Sequence, residues 1–250
     1  MSAKHTTCWL VTALLAMAFL GAFEAPARAA DDDAALREQA LKLNDVTGED
    51  ATKTALESLL KNPSNTKKMI AVAAKIVKDK GKDQPFEVNA TYILGHAAQG
   101  VKDYEAAETF YKLFGKQAEE LNSVSKMAQA YLGMSGLLLE TKKYDKCEEL
   151  CAEFFKFADE IERQAQKAKV EPDPTVVRAQ SPMIRRLVMS LAKQGDFDKA
   201  NGILDKLLKG NPDNYGLQDL KGFVLREDGK YDDAIKVYER DVLHDVTWRP

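Results

Sequence analysis

Between residues 184 and 208 the apolar positions recur at intervals of three and four. Ile184, Leu187, Val188 and Leu191 mark one face of a helix. Gly195-Asp196 breaks it, and Phe197, Ala200, Ile203, Leu204, Leu207 and Leu208 form the stripe of a second. Lys209-Gly210-Asn211-Pro212 is a helix stop, with a basic last turn, a glycine and a proline beyond. The same period predicts a long helix from 144 to about 169, with Phe154, Phe157, Ala158, Ile161 and Ala165 on its stripe. Pro172 and Pro174 end that helix and make a short stiff linker. Nearer the N-terminus, 34–43 and 50–60 read as short helices split by Thr47-Gly48, the second stopped by Asn62-Pro63-Ser64. Met69, Ile70, Ala73, Ile76 and Val77 mark a third, closed by Gly81. The expectation is an all-α chain.

The stripes repeat. Lys102-Asp103-Tyr104-Glu105-Ala106-Ala107, Lys142-Lys143-Tyr144-Asp145-Lys146-Cys147, Gly195-Asp196-Phe197-Asp198-Lys199-Ala200 and Gly229-Lys230-Tyr231-Asp232-Asp233-Ala234 superimpose. Each puts an aromatic three residues before a small side chain. Tyr111, Cys151, Leu204 and Tyr238 follow four residues after that small one. Phe197 and Tyr231 are 34 residues apart. With Leu94-Gly95, Gly222 and Asn211-Pro212 at the flanking positions, the pattern resembles the tetratricopeptide repeat, whose period is 34. The resemblance covers about residues 87–243 and is strongest in the last two copies. It implies a right-handed superhelical solenoid of antiparallel helix pairs, with repeats near 87–120, 128–168, 181–212 and 215–243. One helix pair cannot bury its apolar face alone, so stacking is obligatory. The first two spacings depart from the family, at 40 residues from Tyr104 to Tyr144 and 53 from Tyr144 to Phe197. The long second helix of copy two would project beyond its neighbours, as a solvated charged overhang or as a partner contact. Residues 31–86 read as a helical cap, with a divergent repeat as the other possibility.

In this family the first helices of successive repeats line a groove that holds a segment of another protein. The resemblance places the groove on Asn89, Tyr92, His96 and Gln99 in copy one, and on Gln129, Leu132, Gly136 and Leu139 in copy two. Arg185, Met189 and Lys193 follow in copy three, then Asp219, Phe223 and Arg226 in copy four. The Lys–Asn clamp with which one subgroup grips a C-terminal carboxylate is absent, because its positions hold Tyr92 with His96 and Arg185 with Met189. Arg185, Arg186, Lys193 and Arg226 give the groove a basic end. Those charges suit an acidic segment, or they only keep the face soluble. The implied partner is another protein.

Composition narrows this. Thirty-six Lys and Arg stand against 39 Asp and Glu, a formal charge of −3, which lacks the basic excess of a general nucleic-acid binder. At 45% hydrophobic and 30% charged residues the chain can bury a core. Lys4, an uncharged apolar run over 8–23, and Ala27 and Ala29 before Asp31-Asp32-Asp33 have the three parts of a secretory signal peptide. Cleavage is expected after Ala29 or Ala30, leaving a periplasmic or secreted protein with no stable membrane span. An uncleaved anchor is the alternative, though the run is shorter than the ~20 residues a spanning helix needs.

Candidate chemistry is thin. Cys147 and Cys151 are the cysteines left after cleavage, four residues apart on one helix face. They read as core positions, a zinc or copper pair, or a strained disulfide; the last two would make the chain a metal- or redox-responsive protein. His96 and His244 do not stand at metal-motif spacing, and no nucleophile motif, phosphate loop or paired-histidine helix is present. The expectation is a non-catalytic interaction scaffold without metal or cofactor.

Overall fold

A computed structural model describes residues 32–80 and 85–247, with side chains as far as Glu239. The expected signal peptide, Gly81 and residues 248–250 lie outside the described residues. Within them the chain is helical throughout and carries no strand. A helix α1 (32–41) runs into a 3-10 turn, Lys42–Asp45. There follow α2 (Glu49–Leu60), α3 (Pro63–Lys80), α4 (Val88–Gly100), α5 (Tyr104–Glu120), α6 (Val124–Glu140) and α7 (Tyr144–Ala168). α8 (Pro174–Gln194), α9 (Phe197–Gly210), α10 (Tyr215–Glu227) and α11 (Tyr231–Thr247) complete the order. No helix among the described residues is long and apolar enough to cross a membrane. The chain forms two compact units that divide at Ala106, inside α5.

In the first unit α4 is central. Its alanines keep it slim, so α2, α3 and the 3-10 turn all pack on it. Ala90, Ile93, Leu94, Ala97 and Ala98 are buried there, with Met69, Ile70 and Ala73 from α3. Asn44 ties the 3-10 turn to the start of α4: its Nδ2 donates to Pro85 O (2.8 Å) and its Oδ1 accepts from the Glu87 N–H (2.9 Å). The unit therefore ends beyond the predicted edge of the cap at 86, because α4 buries its apolar surface against α2 and α3.

In the second unit, from α6 onward, successive helices pack on one another, and α6 and α8 also pack on the next but one. α6 touches α7 and α8, while α8 touches α7, α9 and α10. The small-residue positions Ala107, Cys147, Ala200 and Ala234 are all buried, as close helix approach requires. The pairs α7–α8 and α8–α9 build two apolar clusters. One gathers Cys147, Cys151, Phe154 and Ala158 with Val176, Ala179 and Met183. The other gathers Val188, Leu191, Ala200 and Leu204 with Leu220 and Val224.

The long α7 is not left as an overhang. α8 starts at Pro174, which stands in the helix's first turn, and the Asp173 side chain caps it by accepting from the Thr175 N–H (2.8 Å). The predicted linker proline is thus a helix start, since a first-turn residue needs no N–H bond. α8 then runs through Pro182, with Val176, Ala179 and Met183 buried against α7. Burial along one face holds the helix across a residue that would otherwise break it.

Candidate functional site

The turn inside each predicted copy has one geometry. Two residues before the aromatic the backbone is left-handed: Lys102 (φ 60°), Lys142 (φ 58°), Gly195 (φ 84°) and Gly229 (φ 76°). The next N–H then reaches back five residues, from Asp103 to Ala98 O (2.9 Å), Lys143 to Leu138 O (2.8 Å), Asp196 to Leu191 O (2.9 Å) and Lys230 to Leu225 O (2.9 Å). This is the Schellman closure of a helix C-terminus. It gives the four copies a common register, counted back from the aromatic.

In that register α8 and α10 face each other position for position. Arg185 pairs with Asp219 (3.4 Å) and Lys193 with Glu227 (2.7 Å), and both pairs are 34 residues apart. Met189 and Phe223 are the corresponding middle positions, both half-buried. Phe223 lies under two cations, with Lys193 Nζ 5.7 Å and Arg226 Cζ 5.2 Å from its ring centre. Arg226 also reaches Glu227 at 3.3 Å. The hydrogen bond from Lys193, then that from Arg226, holds the Glu227 carboxyl below the usual carboxylate range. The basic end expected from sequence is therefore matched by acids: a half-buried aromatic with paired charges on either side. Sequence reading missed Glu227, although its 34-residue offset from Lys193 was there to find.

Gln129, Leu132, Gly136 and Leu139 lie half-buried on α6. Asn89, Tyr92, His96 and Gln99 lie on α4, in the first unit, where the Tyr92 and His96 rings meet at a tilt of 59° with centres 4.4 Å apart. Burial pushes the Tyr92 phenol up. Arg186 turns away from Arg185, toward α6. It stands eleven residues before its aromatic, where the other copies carry Ile93, Gly133 and Leu220, all buried. Its guanidinium turns onto α6, donating to Leu132 O and, at 2.6 Å, to Ser135 Oγ.

Cys147 and Cys151 are free and buried. The Cys147 thiol donates toward Ser135 O at 3.5 Å. A hydrogen bond from Cys151 lowers the Cys147 thiol below its ordinary range, with help from Ser190 and the Arg186 charge, while the same bond and burial push Cys151 up. Ser190 Oγ is buried without a partner at hydrogen-bonding geometry. Among the described residues no three of His, Cys, Asp and Glu converge as a metal site.

Compared with known proteins, the chain matches no family model, no curated protein and no solved structure.

Proposed function

We propose that the chain is a tetratricopeptide-like array, a right-handed solenoid of antiparallel helix pairs, that binds a segment of another protein across α6, α8 and α10. The 34-residue ladder carries this reading: equal positions of α8 and α10 oppose one another at Arg185–Asp219 and Lys193–Glu227. Opposition of equal positions is what regular stacking of identical units produces. The common turn geometry and the packing of α6 on α8 and of α8 on α10 support it. The function is scaffolding rather than catalysis. The partner segment sets an apolar side chain on Met189 and Phe223 and polar groups on the flanking ion pairs. Because those pairs are internally balanced, the face does not call for an acidic segment. Residues 1–30 serve as an export signal, so the partner belongs to the envelope or the exterior.

A photo-crosslinking residue in place of Met189 or Phe223, introduced in the native cell, tests the groove against the same residue at Lys206, exposed on α9. The expected result is one common partner from the two groove positions and none of it from Lys206. Arg185→Glu would set two carboxylates opposite each other and weaken that capture, with unchanged far-UV circular dichroism. Recovery of the same partners from all three positions would sink the assignment.

A further inference from the structure

We propose that Cys147, Cys151 and Met183 form a copper(I) site of two thiolates and a thioether between α6, α7 and α8, charge-balanced by Arg186. This goes beyond the scaffold reading and does not depend on it. The three sulfurs belong to one buried cluster, and each of the three residues is 0% exposed. Cys147 and Met183 both reach Ser135 of α6, and Cys151 stands one helical turn on from Cys147. Ser135 O accepts from the Cys147 thiol at 3.5 Å, and Ser135 Oγ lies 3.2 Å from Met183 Sδ and 2.6 Å from Arg186 Nη1. The four-residue spacing on α7 sets Cys147 and Cys151 one turn apart, with Cβ atoms ~5–6 Å from each other. That is too far for a disulfide, whose Cβ atoms lie ~3.5–4.5 Å apart, but a metal ion bridges it.

The second observation is electrostatic. Arg186 occupies a core register position and makes no ion pair with a carboxylate among the described residues; its donors go to a carbonyl and a hydroxyl. A desolvated guanidinium without a counter-anion is unfavourable. Two thiolates around a monovalent copper carry one net negative charge, which neutralises it. Two thiolates around zinc are neutral and would leave the cation uncompensated. Binding breaks two S–H bonds, forms two Cu–S bonds and a Cu–thioether bond, and releases two protons to solvent. Soft sulfur donors select copper(I), whereas structural zinc takes about four ligands drawn from Cys, His and carboxylate. Ser190 Oγ, buried beside Cys147, supplies a donor for its thiolate sulfur.

The test is anaerobic titration of the reduced, purified protein with copper(I) held by bicinchoninate, read by loss of the coloured complex and by native mass spectrometry. One copper(I) per chain is expected, with only sulfur neighbours in the copper-edge X-ray absorption. Cys147→Ser and Cys151→Ser should each abolish it. Met183→Leu, which conserves volume, should weaken retention by about tenfold or more while leaving the circular dichroism unchanged. Arg186→Gln should weaken it too, and zinc(II) should not compete. Wild-type protein that leaves the bicinchoninate complex intact overturns the proposal, as does Met183→Leu retaining copper as well as wild type or a nitrogen ligand in the absorption spectrum.

Discussion

Glu108 sits between two lysines. It accepts from Lys112 Nζ at 2.7 Å, one helical turn on, and from Lys143 Nζ at 2.9 Å, across the gap to the start of α7. The Lys112 hydrogen bond first, and that of Lys143 second, bring its carboxyl down to about 2. A lowered carboxylate stabilises the fold at any pH above its unfolded value, and the gain is lost as pH falls through the folded value. Glu108→Gln should therefore cost about 0.5–1 kcal/mol at neutral pH, the range for a solvent-facing pair. The deficit should shrink between pH 5 and pH 2, and urea denaturation across that window would show it; a deficit that stayed constant with pH would refute the assignment. Lys112 was legible as a partner from its spacing alone. Lys143 was not, because a pair spanning two helices exists only once they stack.

Helix contacts in the second unit depend on a few residues that lack a side chain. A Cβ on Gly133 would lie 2.5 Å from the Tyr111 ring, and one on Gly222 equally close to the Tyr238 ring. A ring carbon is not the free end of a flexible chain, so one helix would have to shift. Gly133→Ala should cost about 1–3 kcal/mol, the usual penalty of overpacking. Gly202, also helical but with nothing within 4 Å, gives the opposite sign: alanine there should stabilise by up to ~1 kcal/mol. Thermal unfolding of both variants checks the pair, and equal effects would contradict the packing. Gly222 was readable from its repeat position. Gly133 was not, since it falls two residues before Ser135, where the repeat's small residue belongs. The extension of α8 back to Pro174 was hidden for a related reason. Prolines read as breakers locally, and only burial against α7 shows why Pro182 is tolerated.

At the scale of the whole chain the charge is nearly even, and in the described groove it is paired. Net charge was a poor guide to the charges around the proposed groove. The distribution of basic residues suited an acidic segment or a merely soluble face; Asp219 and Glu227 already answer Arg185, Lys193 and Arg226. The export reading has its own test. Intact mass of the protein from its native cell should start at Ala30 or Asp31, with 34 basic against 38 acidic residues left after residue 30. Retention of residues 1–29 would refute cleavage.

Sequence alone determined the all-helical character and most of the helices and turns. Those follow from apolar periodicity and from the recurring aromatic-to-small spacing, both local along the chain. Tertiary structure alone decided where each charge ended. Arg186 and Arg185 are adjacent in sequence and both basic, yet one pairs with Asp219 at the surface while the other turns onto α6 and donates to Leu132 O and Ser135 Oγ. Successive residues on a helix point about 100° apart, and only the stacking of neighbouring helices settles which direction is solvent and which is core.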